Sequence, residues 1–140
     1  MERELDSIEA TRALGAELAQ RATPGTVIAL NGDLGAGKTE FVRGFVAALP
    51  ECSPAEIASP TFALVHRYET HPPVWHLDLY RLENEAELAA IGGEEFFDPI
   101  DEITLVEWAE RYPSWLPKTA WLVRLERTSE TTRRARVTIP

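Results

Sequence analysis

The stretch Thr26-Val27-Ile28-Ala29-Leu30-Asn31-Gly32-Asp33-Leu34-Gly35-Ala36-Gly37-Lys38-Thr39-Glu40-Phe41 decides the fold. Its first five residues form an unbroken apolar run, as expected of a strand buried on both faces. From Lys38 the sequence reads as a helix over 38–49, which Pro50 stops. Between them, Gly32 and Gly37-Lys38-Thr39 stand at the full Walker A spacing. Glycines let successive backbone N–H groups turn inward around a phosphate, and the following helix N-terminus adds the positive end of its dipole. Lys38 is placed to reach β- and γ-phosphates, and the Thr39 hydroxyl to ligate Mg²⁺. Strand, loop and helix in this order predict a P-loop α/β fold.

Outward from this stretch the signals are more ordinary. Upstream, Asp6 with Glu9 resembles a capping box, and Ile8, Ala10, Leu14 and Leu18 place an apolar stripe on a helix reaching about Ala22. Downstream, strands over 61–68 and 74–80 are joined by Thr70-His71-Pro72-Pro73, a link short enough to predict antiparallel pairing. Asn84-Glu85-Ala86-Glu87 opens a short helix that Gly92-Gly93 ends. Ile103-Thr104-Leu105-Val106 is a second buried-strand pattern, and strands over 121–126 and 135–139 flank a turn. The expectation is an α/β sheet of mixed parallel and antiparallel direction, flanked by helices and closed by a C-terminal β-hairpin. With no repeat or long linker, residues 1–140 read as a single domain.

Composition narrows the classes. The chain is 44% hydrophobic and 26% charged, values of a globular protein and not of a disordered or fibrous one. Net charge is −9, from 14 Lys and Arg against 23 Asp and Glu, which disfavours tight direct binding of nucleic acid. The basic cluster Arg133-Arg134-Ala135-Arg136 reads as the start of a solvent-facing strand. Cys52 is alone, which fits a reducing compartment. No apolar run approaches the roughly 20 residues of a membrane span. Met1-Glu2-Arg3-Glu4 carries acid where a signal peptide carries base, so a cytoplasmic setting is expected.

A phosphate-bound Mg²⁺ also needs a carboxylate at the end of a neighbouring strand. Glu107 ends the run 103–106, and Asp78 stands polar within Trp75-His76-Leu77-Asp78-Leu79-Tyr80. Either is also readable as an ordinary strand-end or ion-pairing carboxylate. Ser59-Pro60-Thr61 supplies two hydroxyls before a strand, as a γ-phosphate sensor or as a plain turn. Trp108 has two readings, a platform for adenine or a core residue. His76 and Tyr80 share the Asp78 strand face by two-residue spacing, with a satisfied His76 favoured over a general base. His66, His71 and Cys52 show no zinc spacing.

Taken together, these residues resemble the TsaE (YjeE) family, small bacterial ATPases of tRNA threonylcarbamoyladenosine formation. The resemblance is carried by Glu9-Ala10-Thr11 with Gly15, by Leu30 to Thr39, and by Ser59-Pro60-Thr61-Phe62. His76-Leu77-Asp78-Leu79-Tyr80-Arg81-Leu82, Glu87-Leu88 with Gly92, and Leu105-Val106-Glu107-Trp108 complete it; it weakens beyond Arg111. It implies that ATP or ADP binds with Mg²⁺, held by Thr11, Gly32, Asp33, Leu34, Gly35, Ala36, Gly37, Lys38, Thr39, Glu40, Thr61 and Trp108. Thr39 and Glu107 would hold the metal, Lys38 the phosphates, and Asp78 would support hydrolysis alongside Lys38 and Glu107. TsaB-like and TsaD-like partners are implied, with threonylcarbamoyl transfer to adenosine 37 of ANN-decoding tRNAs occurring on the TsaD-like one. Two other readings stand beside this one. A small-molecule P-loop kinase would need an arginine-bearing lid, and a nucleotide-gated binding module would seldom hydrolyse its ATP.

Overall fold

The computed structural model describes residues 1–50 and 65–140; Cys52, Ser59, Pro60 and Thr61 lie outside them. Strand β1 (Glu2–Leu5) leads into helix α1 (Ile8–Arg21), and β2 (Val27–Asn31) leads through the glycine loop into α2 (Lys38–Ala47). Strands β3 (Val65–Tyr68) and β4 (Val74–Asp78) precede two short helices, α3 (Glu85–Ala90) and α4 (Gly93–Phe96). After β5 (Ile103–Glu107) come two 3-10 turns, Ala109–Arg111 and Pro113–Trp115, and then β6 (Trp121–Arg127) and β7 (Arg133–Thr138).

Among the described residues seven strands form one sheet in the order β1-β7-β6-β2-β5-β4-β3. The four inner strands β6, β2, β5 and β4 run parallel, and the outer pairs β1/β7, β6/β7 and β3/β4 run antiparallel. This is the expected mixed sheet with its C-terminal hairpin. Strand β2 is central because alternate side chains serve opposite core layers. Ile28 and Leu30 pack with Leu14, Leu18, Phe41 and Phe45 under α1 and α2. Val27 and Ala29 pack with Leu77, Leu88, Phe97 and Tyr112 on the other face. Each large apolar side chain removed from water contributes about 1.5–3 kcal/mol, so these two layers fix the height and direction of β2.

Helix α1 lies against α2 at backbone contact. A Cβ on Gly44 would stand 1.9 Å from the Arg12 carbonyl oxygen, and one on Gly15 would stand 2.2 Å from that of Phe41. The Arg12 guanidinium meets the Glu40 carboxylate at 2.6 Å across the same seam. This contact sets Thr11 beside the loop, where its methyl would be 3.4 Å from a Cβ on Gly37.

Several expectations shift in detail. The cap of α1 is Ser7, not Asp6: Ser7 is extended (φ −160°), and its hydroxyl accepts the Ala10 N–H at 3.0 Å. Ile8, expected in the apolar stripe, is 56% exposed, and Thr11, Gly15 and Ala19 complete the buried face instead. Strand β4 stops at Asp78 because the Asp78 carboxylate accepts the Tyr80 N–H at 3.0 Å and turns the chain out of the ladder. Strand β1 has no apolar pattern to announce it. Its acids Glu2 and Glu4 pair with Arg134 and Arg136 of β7, and only Leu5 enters the core.

Gly44→Ala should destabilise the protein by roughly 1–3 kcal/mol, because the new methyl meets rigid helix backbone and overpacks the seam. Urea denaturation checks it. An unchanged midpoint would show that α1 and α2 separate at little cost.

Candidate nucleotide-binding site

The parallel register aligns three strand ends. Leu30 of β2 stands opposite Glu107 of β5, and Glu107 opposite Asp78 of β4. The chain leaving β2 therefore turns directly beside the two carboxylates that leave β5 and β4. Gly32 sits where a Cβ would lie 2.4 Å from the Leu125 carbonyl oxygen, so the loop's first residue is held tight against β6. Gly37 is the N-cap of α2, with φ 105° and no side chain to satisfy the first helical N–H groups. A left-handed residue at that point suits glycine. It leaves the amides of a helix N-terminus open to an anion.

A cleft of about 440 Å³ runs along this edge of the sheet. Thr11, Leu34, Gly35, Gly37, Lys38, Thr39 and Glu40 line it, as do Asp78, Glu107 and Trp108. Of the remaining expected residues, Gly32 and Ala36 are buried behind the loop and Asp33 is exposed on its outer side. Thr61 lies outside the described residues. The Glu40 carboxylate is shared between Arg12 at 2.6 Å and Arg43 at 3.7 Å. Sequence reasoning did not single out Ser7, Ile8, Arg81 or Thr131 as lining residues, and it gave Arg133 to solvent; all five border the cleft.

Lys38 is the centre of the electrostatics. It is 5% exposed, and its ammonium donates to the Gly32 carbonyl while standing 3.5 Å from the centre of the Trp108 ring. Burial pushes its pKa down, and Glu107, then Glu110, Asp78 and Asp33 push back. Among the described residues no carboxylate is in ion-pair contact with this buried cation, which suits it to an anionic ligand. Trp108 is held at φ 62°, a rare backbone for a bulky residue, with its N–H donating to the Leu30 carbonyl at 3.2 Å. Tyr80 leans on the Trp108 ring with centroids 4.9 Å apart. Trp108 thus touches Lys38 and Tyr80 and packs against the core layer of Val27, Ala29 and Leu77.

His76 does not line the cleft. It is fully buried, and its Nε2 meets Glu107 Oε2 at 2.6 Å. One oxygen of Glu107 is therefore committed to the imidazole, which fixes the orientation of the carboxylate at the cleft wall. The alternation rule had placed His76, Asp78 and Tyr80 on one face. His76 and Asp78 keep that shared face within β4, and the Asx turn after Asp78 takes Tyr80 out of the strand; Asp78 and Tyr80 border the cleft, with His76 one step further in and buried.

Among the described residues no group of three His, Cys, Asp or Glu side chains is built to hold a metal. Mg²⁺ retains waters and binds through one or two protein oxygens plus phosphates, so oxygen donors at the cleft wall are the chemistry it would need. The Thr39 hydroxyl and the free oxygen of Glu107 would hold it here.

Fold and site define a P-loop α/β protein. The chain belongs to the TsaE family, whose model, described as threonylcarbamoyl adenosine biosynthesis protein TsaE, matches residues 5–135. The match passes well beyond Arg111. It is 42% identical over 134 residues to the tRNA threonylcarbamoyladenosine biosynthesis protein TsaE of a Nostoc species, covering 93% of this chain and 80% of that one. For the TsaE protein of a Synechocystis species the identity is 45% over 117 residues, covering 81% and 73%. The crystal structure of Bacillus subtilis YdiB superimposes with a TM-score of 0.77 at 30% identity, over 99% of this chain and 84% of that one. No helix among the described residues is long and apolar enough to cross a membrane.

Burial raises the pKa of Asp78 above its ordinary value of 3.8, against the opposing Tyr80 N–H bond. Between the two values the native chain keeps a proton that the unfolded chain has released, so stability falls as pH rises through that interval. Asp78→Asn should abolish this component. Thermal melts of the ligand-free protein from pH 3.8 upward should show wild type losing stability relative to the variant. Parallel curves would contradict the assigned burial.

Proposed function

We propose that residues 1–140 act as one Mg²⁺-dependent ATPase unit that serves threonylcarbamoyladenosine formation in tRNA. The observation that carries this reading is the convergence of Lys38, Asp78 and Glu107 on one glycine-rich helix N-terminus. Backbone amides of the loop and Lys38 would hold the phosphates, and Thr39 and Glu107 the metal, which supplies charge neutralisation at the transferring phosphoryl group. Asp78, half-buried at the end of β4 with its pKa raised, is positioned to order the attacking water. The names of the relatives support the tRNA role.

The cytoplasm would be its place of action, and TsaB-like and TsaD-like proteins its partners. Transfer chemistry would belong to the TsaD-like partner, with ATP hydrolysis by this chain resetting the assembly. Net charge also favours docking on protein over gripping tRNA directly. Hydrolysis should be slow for the chain alone and rise when partners order the site.

Lys38→Ala should weaken ATP binding roughly 10- to 100-fold, the loss of a charge-assisted hydrogen bond to phosphate. Asp78→Ala should lower turnover far more than affinity, because water positioning matters in the transition state. Calorimetry and multi-turnover tRNA modification with the partners present check both. Unimpaired modification by the two variants would reject the ATPase role.

A further inference from the structure

Glu107 is fixed at three points. Its carbonyl accepts the Leu79 N–H at 3.1 Å, and the Trp108 N–H that follows it donates to the Leu30 carbonyl at 3.2 Å. These two bonds hold the end of β5 between β4 and β2. The third point is the side chain, through the 2.6 Å contact of its Oε2 with Nε2 of His76. His76 stands opposite Leu105, two residues before Glu107, so this contact runs diagonally back from the cleft edge into the sheet.

The His76 ring has little room to follow the carboxylate. It is fully buried, and it shares a strand face with Val74 of the core layer under α1 and α2. It stacks on Tyr68 of β3, with centroids 6.3 Å apart and planes at 27°. Its Nδ1 has no hydrogen-bond partner among the described residues. A proton there would be a buried donor with nothing to meet it, so the ring's proton is assigned to Nε2, which donates it to Glu107.

We propose that His76 makes Glu107 a one-oxygen metal ligand and thereby favours Mg²⁺ over Ca²⁺ in the cleft. Oε2 is drawn back toward the buried ring, which leaves the other oxygen to the cleft that Glu107 lines. Mg²⁺ demands octahedral geometry and is served by a single carboxylate oxygen, whereas Ca²⁺ takes about 6–8 oxygens, often both from one carboxylate. Two-oxygen ligation here would pull Oε2 off the imidazole and strand the Nε2–H in the core. His76 acts through Glu107 and is a positioning residue, as the outer partners of metal ligands are. This deepens the reading of the cleft as a site for Mg²⁺ and ATP and rests on it.

The test is calorimetry of a non-hydrolysable ATP analogue with Mg²⁺, with Ca²⁺ and with EDTA, on wild type, His76→Leu and His76→Gln. Melting curves confirm that each variant is folded. Gln offers an N–H near the position of Nε2, and Leu offers none. Wild type should bind the analogue more tightly with Mg²⁺ than with Ca²⁺. His76→Leu should lower that ratio of affinities roughly 10- to 100-fold, the cost of losing an outer partner, with affinity in EDTA unchanged. His76→Gln should keep most of the ratio; an equal loss in both variants would point to packing and overturn the proposal. If wild-type affinity is the same with Mg²⁺ as with EDTA, the metal reading of the cleft fails and the role of His76 with it. If Mg²⁺ strengthens binding but Ca²⁺ does so equally, or His76→Leu keeps the wild-type ratio, only the role of His76 is overturned. Crystals of wild type with the analogue and Ca²⁺ make the same test without a variant. One Glu107 oxygen on the Ca²⁺ is expected, and two, with the His76 bond broken, would overturn the proposal.

Discussion

Strand β2 runs parallel to both of its neighbours, and nearly everything at the site depends on that constraint. Parallel strands end at the same edge, so the loop after Asn31, the carboxylate of Glu107 and that of Asp78 arrive together. An antiparallel neighbour would have sent one of these carboxylates to the opposite edge. The alternation of Val27, Ile28, Ala29 and Leu30 between two core layers prevents β2 from slipping by one residue, since a slip would exchange every side chain between layers. Core packing and site geometry are thus set by the same four residues.

Around that framework the site carries strain and exposed cost that a purely structural loop would not need. Lys38 is buried beside a ring and a carbonyl, and among the described residues the carboxylates that offset its charge stand further off. Trp108 is kept in a left-handed conformation by the Leu30 carbonyl. Glu107 is buried with one oxygen tied to His76. Each feature costs stability on its own, a cost that an anion and a metal bound as proposed would offset.

The loop and the strands around it were legible because their signals are local. The Walker A spacing fixes backbone chemistry, and short apolar runs fix buried strands. The antiparallel β3/β4 pair and the β6/β7 hairpin follow from short links of polar residues. What was not legible depends on distant partners. Strand β1 is polar and gains its place from arginines on β7. Ile8 fits a helical stripe by spacing, but the Ser7 cap starts the helix so that its side chain faces the cleft. Arg133 looks like its neighbours in sequence, and only the turn carbonyls that grip it set it apart. His76 shares a strand face with Asp78, yet it stands opposite Leu105, one step further in, and from there its ring reaches diagonally to Glu107.

The most direct measurement is a crystal structure of the chain with Mg²⁺ and a non-hydrolysable ATP analogue. The account predicts phosphates against the amides of Gly35 to Thr39 and the Lys38 ammonium, with the metal between the Thr39 hydroxyl and the Glu107 carboxylate. A nucleotide bound away from this loop, or a metal with no oxygen from Thr39 or Glu107, would contradict it.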